Sequence, residues 1–198
     1  MTIKSIAKIC KSHKEVTRHT DEGGNQWLGF NGALYLVPNL PDCDNEQLAA
    51  IFDISPEKYE KMKFNFYECQ NALLFNDVYA AENLLERSKV RYIVEGIELE
   101  PLKTSVGVVF INTEYLAPFK KFKNGFELYE RLTPGGGLHI AAKSGLELHG
   151  ILKCYKMSKE FFDIQEDIIK HAKALPNNEE QISFAEAMGG TTNGIDNN

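Results

Sequence analysis

The sequence lacks the cysteine motifs and the long apolar segments that mark several classes of protein. Its four cysteines stand far apart, and no two of them form a C-x-x-C pair. This spacing argues against a disulfide framework and a zinc knuckle, and it favours reduced thiols with a structural role. No apolar run is long enough to span a bilayer, and the lysine-rich N-terminus lacks the apolar core of a signal peptide. We therefore expect a cytoplasmic protein that has no membrane segment.

Patterns typical of catalysis or metal binding are also missing. No serine, cysteine or aspartate stands in a nucleophile-elbow pattern, and no pair of carboxylates is spaced for acid–base chemistry. His139 and His149 fall in neighbouring predicted strands, but no carboxylate or cysteine accompanies them at the spacing of a metal site. We predict a non-catalytic protein with no metal ion and no cofactor, whose sheet histidines face solvent.

Composition describes a globular, acidic chain. Hydrophobic residues make up 43% of its 198 residues, which is sufficient for an ordinary core. The 22 lysines and arginines stand against 28 aspartates and glutamates, for a formal charge of -6. This balance disfavours a protein that coats nucleic acid over its whole surface, but it allows a local basic face.

The first forty residues predict one helix followed by three short strands. Apolar residues recur at helical spacing over 3–12, with lysines between them. A Gly23-Gly24 turn and an Asn31-Gly32 turn separate the apolar runs after this helix, and Asn-Gly between two such runs is a strong hairpin signal. The predicted strands are 15–21, 25–31 and 33–38.

The middle of the chain, residues 41–89, is acidic and predicts an insert of connecting helices. Asp44 and Gln47 have the spacing of a capping box at the start of one helix. A further helix is predicted over 78–89. β-branched residues then predict strands over 90–102 and 105–111.

From Asn112, a good N-cap, the sequence repeats the order of elements at its start. A helix over 113–123 precedes strands over 126–133, 138–144 and 146–157. A constant shift of 113 residues, from Gly32 to Gly145, aligns the two segments without a gap. Turn glycines that punctuate the same elements are difficult to match by chance, so we predict an internal repeat. The shift also pairs Lys8 with Lys121, Arg18 with Arg131, Thr20 with Thr133, Gly23 with Gly136 and Gly24 with Gly137.

These patterns predict an α+β fold, one domain over 1–175 with a flexible tail over 176–198. The domain contains two pseudo-symmetric units, each a helix plus an antiparallel meander. Its predicted parts are the repeats 1–40 and 113–157, the helical insert 41–89, the strands 90–111 and the C-terminal helix 158–175.

The stretch 134-PGGGLHIAAKSG-145 is close to a phosphate-binding loop but does not fit one. Such a loop needs a Gly-Lys-Ser/Thr sequence that opens a helix, so that backbone N–H groups converge on the phosphates. Here Ala142 replaces the required glycine, and Lys143-Ser144 end a predicted strand. We interpret the glycines as hairpin turns and expect no nucleotide site.

Two copies of a helix followed by a meander resemble the half-repeats of DNA sliding clamps, the polymerase processivity factors. The segment 108-VVFINTEYLAPFKKFKNGFELYERL-132 is similar to the clamp passage in which an asparagine and an aromatic-Leu helix precede a strand. TIKSIAKIC and PLKTSVGVVFINTEYL also resemble small proteins of phages and prophages of gut Firmicutes. A clamp subunit contains two or three such domains, whereas this chain has room for one. Either several copies assemble as a homo-oligomer, or the fold exists without the ring.

The clamp resemblance implies a replication-associated protein whose basic helices face duplex DNA. In that family the helices line the channel and present basic side chains to the phosphates. Contact of this kind is electrostatic and depends on salt. The residues implied to face DNA are Lys4, Lys8, Lys11, Lys120, Lys121 and Lys123.

A second hypothesis assigns the acidic insert to a surface that blocks a host factor such as a defence nuclease. Its partner-binding residues would be Glu57, Glu60 and Glu82. The tail contains one apolar island, Gln181–Met188, that loosely matches the Gln-led peptides which dock on clamps. Whether this peptide docks on anything is left open.

Overall fold

A computed structural model describes residues 2–68, 75–133 and 135–174 of the chain. It confirms a mixed α+β fold with a large sheet, several helices and one C-terminal helix. The described helices are α1 (Ile3–His13), α2 (Asn45–Ile51), α3 (Pro56–Tyr59), a 3-10 helix (Thr113–Lys121) and α4 (Lys159–Ala174). The described strands are β1 (Glu15–Thr20), β2 (Gln26–Phe30), β3 (Ala33–Val37), β4 (Lys63–Glu68), β5 (Glu82–Leu85), β6 (Tyr92–Val94), β7 (Ile97–Thr104), β8 (Gly107–Asn112), β9 (Glu127–Leu132), β10 (Leu138–Ser144) and β11 (Glu147–Lys153).

Eight of these strands form one sheet, in the order β4-β1-β2-β3-β11-β10-β9-β5, and β6-β7-β8 form a smaller one. The meander β1-β2-β3 lies beside the meander β9-β10-β11. The two are joined by antiparallel pairing of β3 with β11, in which Leu34 stands opposite Ile151. At the outer edge of the first meander, β4 pairs in parallel with β1. The two meanders therefore form the middle of a continuous sheet.

The main core lies between one face of this sheet, which we call the helix-side face, and the helices packed on it. Ile6 and Ile9 of α1 and Tyr115 and Phe119 of the 3-10 helix belong to the same buried cluster. At its centre, the hydroxyl of Tyr35 donates to the carbonyl oxygen of Tyr115 over 3.0 Å. The opposite face, which we call the second face, carries a smaller cluster of Trp27, Ala141, Leu148 and Ile151.

Both predicted repeat helices form, and their ends follow the local sequence. Lys14 ends α1 in the left-handed conformation, with φ of 53°. Asn112 caps the second helix, and its side chain accepts from the backbone N–H of Glu114 over 2.9 Å. This second helix is 3-10 and not α, and it contains Pro118, which lacks the N–H that an α-helical bond requires.

The gapless shift of 113 residues is wrong as a structural alignment, because it exchanges the two faces of the sheet. A slip of one residue along a strand moves every side chain to the other face. Arg18, for example, donates to Asp42, whereas Arg131 lies against Glu82 on the second face. The shift carries Val16, Leu28 and Tyr35 of the helix-side cluster to Tyr129, Ala141 and Leu148, which pack in the second-face cluster.

The acidic insert is only partly helical. Asp44 and Gln47 form the predicted capping box at the start of α2. The helix predicted over 78–89 is wrong, because Glu82–Leu85 form β5 and pair antiparallel with β9. Strand β4 also lies within the insert, at the other edge of the sheet. Pairing with a distant strand outweighs helix propensity in this segment.

The chain divides into two compact units, Met1–Lys156 and Met157–Asn198. The division falls before α4, whereas the predicted boundary follows that helix. The predicted tail, 176–198, and its peptide Gln181–Met188 lie outside the described residues. None of the described helices is both long and apolar enough to cross a membrane.

We expect Gly150 of β11 to tolerate no side chain, because Phe119 fills the space above it. A Cβ atom at Gly150 would lie 2.4 Å from Cζ of Phe119, whose ring is buried. Gly150→Ala should lower the free energy of unfolding in urea by about 1–3 kcal/mol, the usual cost of overpacking. Gly135→Ala is the control, since nothing lies within 4 Å of a Cβ there. Equal losses in the two variants would contradict this prediction.

Candidate functional site

The helices that carry the six predicted lysines lie side by side on the helix-side face. Near the C-terminal end of α1, Ser12 donates to Glu114 at the start of the 3-10 helix over 3.3 Å. At the opposite end of α1, Ile3 and Ile6 line a small apolar pocket together with Phe122, which follows the 3-10 helix. The two helices are therefore antiparallel neighbours.

Five of the six lysines are exposed on these helices or directly after them. They are Lys4, Lys8, Lys120, Lys121 and Lys123. Lys11 differs, because it is half-buried and its Nζ donates to the carbonyl oxygen of Phe52 over 3.0 Å. Since Phe52 is the C-cap of α2, Lys11 satisfies a free carbonyl at the negative end of that helix. Lys11 thus connects two helices within the fold.

The acidic residues of the alternative hypothesis also separate into two groups. Glu57 in α3 and Glu60 after it are exposed. The side chain of Glu82 is only 14% exposed, and both of its oxygens are bound. Its Oε1 lies 2.6 Å from Nζ of Lys143, and its Oε2 accepts from Nε of Arg131 over 2.9 Å. Glu82 is therefore part of the interior of the protein and is not an open surface carboxylate.

Arg131, Lys143 and Glu82 form a buried ionic cluster on the second face. Arg131 has no exposed surface, and it also donates to the carbonyl oxygen of Asn76 over 2.7 Å. Nζ of Lys143 lies 5.0 Å from the ring centroid of Tyr129. Buried cations are stable only when they have such partners. The cluster thereby fixes the segment around Asn76 and Glu82 onto the sheet.

The position of Lys143 confirms the hairpin interpretation of the glycine-rich stretch. Lys143 and Ser144 end β10, and β11 begins at Glu147. Gly145 takes a positive φ of 63° in the turn between these strands. Because a strand and not a helix follows, no backbone N–H groups converge here as in a phosphate-binding loop.

The sheet histidines do not meet, and they are not fully open to solvent. His139 lies on the second face, whereas the ring of His149 packs on Phe122 at the helix-side face, with centroids 4.6 Å apart. Burial lowers the pKa of both imidazoles, and nearby Lys153 lowers the pKa of His139 further. Across the described ranges, no group of three or more His, Cys, Asp or Glu side chains is arranged to hold a metal ion.

Three of the cysteines fit the predicted role of structural thiols. Cys10, Cys43 and Cys154 are free, and the first two are buried. Burial is the main cause that raises the pKa of Cys10 to about 12, so this thiol stays protonated at neutral pH. Cys69 lies outside the described residues.

The exposed lysines on α1 and the 3-10 helix contrast with the net charge of -6 of the chain. Comparison of the chain with protein-family models, with curated proteins and with solved structures finds no match.

Glu82→Gln should destabilise the fold strongly, because it removes the negative charge that balances the buried cations of Arg131 and Lys143. Removal of one partner from a buried ion pair costs about 3–5 kcal/mol. Urea denaturation measures this loss. Glu86→Gln, at an exposed position in the same segment, serves as the control and should change stability little. A loss below about 1 kcal/mol for Glu82→Gln, the level of a surface pair, would contradict the prediction.

Stability should decrease as the pH falls through the range in which histidines of the unfolded chain become protonated. Burial lowers the pKa of His19, His139 and His149, so the folded protein takes up these protons later than the unfolded chain. The stability that these histidines contribute is fully present above the pKa of histidine in the unfolded chain, about 6.5, and it is lost as the pH falls below this value. Urea denaturation at two pH values, one on each side, tests this. His139→Gln should reduce the loss and the exposed His171→Gln should not; equal losses would oppose the prediction.

Proposed function

We propose that the protein is a non-catalytic, replication-associated module that contacts the backbone of duplex DNA in the manner of a sliding-clamp domain. One observation carries this proposal. The α1 helix and the 3-10 helix lie antiparallel on one face of a continuous sheet, and five lysines are exposed on them or directly after them. Contact with phosphates through flexible lysine stems requires no base recognition and no catalytic group.

The distribution of charge supports a contact that is limited to this face. With a net charge of -6, the remainder of the surface is unfavourable for a polyanion. Lys11 contributes indirectly, because its bond to Phe52 secures α2 against α1. The five exposed lysines are the residues that would reach the phosphates.

We further infer that the two helix-and-meander units are related copies with a spacing of 112 residues in their first two strands. Gly24 and Gly136 are 112 residues apart and occupy the turns with nearly equal positive φ values, 80° and 78°. The longer β10-β11 hairpin contains a bulge near Ala142, and the spacing changes after it. Val16 and Leu128, like Leu28 and Ile140, have the same spacing and are buried on the helix-side face.

The alternative to DNA binding is that the acidic insert binds a host protein. Glu57 and Glu60 are exposed and remain free to contact a host protein, whereas Glu82 is engaged by Arg131 and Lys143. Under this hypothesis, Glu57→Lys with Glu60→Lys would abolish partner capture, whereas changes of the exposed helix lysines would have no effect on it.

The DNA proposal predicts weak, salt-dependent binding of a fluorescent duplex in an anisotropy titration. Affinity should fall as salt rises, with a log–log slope of roughly -0.9 for each phosphate contact. A triple variant with Lys4→Glu, Lys8→Glu and Lys121→Glu should lose binding, because each change replaces an exposed cation with an anion. Thermal unfolding should change little, since exposed substitutions usually alter stability by about ±0.5 kcal/mol.

A second triple variant is the charge-matched control. Lys58→Glu, Lys61→Glu and Lys103→Glu change the net charge by the same amount at exposed positions outside α1 and the 3-10 helix. This control should retain most of the affinity. Equal losses in both triple variants, or no binding at about 20 mM salt, where screening is weak, would reject the proposal.

A further inference from the structure

The second face of the large sheet contains an open groove of about 620 Å³ that the DNA proposal does not use. Its size falls in the range of about 300–1,000 Å³ that is usual for small-ligand sites. Leu34 of β3 and Ile151 of β11 provide apolar lining, and Tyr67 and Phe75 contribute aromatic rings. Polar groups stand at its two ends.

Glu15 provides a fixed negative charge at one end of the groove. Its Oε1 accepts from Nδ2 of Asn65 over 2.8 Å and from Oγ1 of Thr17 over 3.1 Å. Among the described residues, its Oε2 accepts one long bond of 3.4 Å, from the backbone N–H of Asn31. A carboxylate has about four acceptor sites, so Glu15 is held in place and still has capacity for a further donor.

Lys153 and His139 provide donors at the other end. They stand opposite each other in the register of β10 with β11, and both line the groove. Within the described part of the chain, Lys153 forms no ion pair. The Nδ1 atom of His139 is buried and has no hydrogen-bond partner among the described residues. A buried polar atom without a partner is rare in native proteins, and a ligand acceptor would satisfy it.

The spacing of these charges defines the length of a ligand. Glu15 is in β1 and Lys153 is in β11, which is the third strand from β1 in the sheet. At about 4.8 Å per strand, their backbones are roughly 14 Å apart, and both side chains extend into the groove. An extended peptide advances about 3.3–3.6 Å per residue, so a chain of about three residues fits between the charged ends.

We propose that this groove binds a short zwitterionic peptide with apolar side chains, its amino group at Glu15 and its terminal carboxylate at Lys153 and His139. A small anion would satisfy only the Lys153 end, and a small cation would satisfy only Glu15. A zwitterion satisfies both ends, and its side chains cover Leu34 and Ile151. This site is independent of the helix-side face.

Calorimetry on the full chain with the tripeptide Leu-Ala-Leu tests the proposal. The free peptide should bind, and its N-acetylated and C-amidated forms should each bind about tenfold more weakly or worse, because each loses one charge-assisted contact. Lys153→Gln should reduce the sensitivity to amidation and leave the sensitivity to acetylation unchanged. Glu15→Gln should remove the sensitivity to acetylation alone, and His139→Leu should weaken binding of every form that has a free carboxylate.

Lys103→Gln and Glu46→Gln are matched controls at exposed positions outside the groove, and they should bind all forms as the wild type does. The capped peptides test the wild-type protein directly, so the result does not depend on the folding of any variant. No heat of binding at about 5 mM free peptide, which corresponds to an affinity too weak for a specific site, would overturn the proposal. Equal affinity for free and capped forms would also overturn it.

Discussion

The antiparallel pairing of β3 with β11 is the contact on which both faces of the protein depend. It joins two meanders that are far apart in the sequence into one sheet. Through this pairing, α1 and the 3-10 helix come to lie on a common core, and Phe119 packs over Gly150. The same pairing sets Lys153 beside the β2-β3 turn, where its backbone N–H donates to Gly32. The positions of the exposed helix lysines and of the groove therefore both depend on the pairing of β3 with β11.

The two faces of the sheet are stabilised by different physical means. Apolar and aromatic side chains dominate the helix-side face, and their burial supplies most of the favourable free energy of a fold. The second face has a smaller apolar cluster, next to the ionic cluster of Arg131, Lys143 and Glu82. Buried ion pairs add little net stability, but they require one geometry. This requirement accounts for the defined position of Asn76 and Glu82 against the sheet.

Local signals in the sequence predicted the elements that depend on neighbouring residues. The apolar spacing of α1, the Asn31-Gly32 turn and the capping box at Asp44 all form as predicted. Strand β5 was not predictable in this way, because its partner β9 is distant in the sequence. The alignment of the two repeats also assigned side chains to the wrong face of the sheet, because a bulge at Ala142 and a longer hairpin break a gapless alignment.

The same limit applies to the candidate sites. Exposed lysines such as Lys8 and Lys121 could be located from helical spacing alone. The roles of Lys11 and Glu82 depend on Phe52 and Arg131, which no local pattern connects to them. The environment of His139 likewise results from the packing of several strands. Alternation along β10 was the one available signal, because it places His139, Ala141 and Lys143 on the same face.

The distance in sequence between β3 and β11 has a consequence for synthesis. Tyr35 is paired with Gly150, so β3 leaves the ribosome long before its partner strand exists. At about 5–20 residues per second, this interval is on the order of 6–23 s. During that time the edge of β3 carries unpaired backbone groups, which other chains can join. The growing polypeptide therefore passes through a stage at which the strand that later covers this edge, and so protects it from aggregation, has not yet been synthesised.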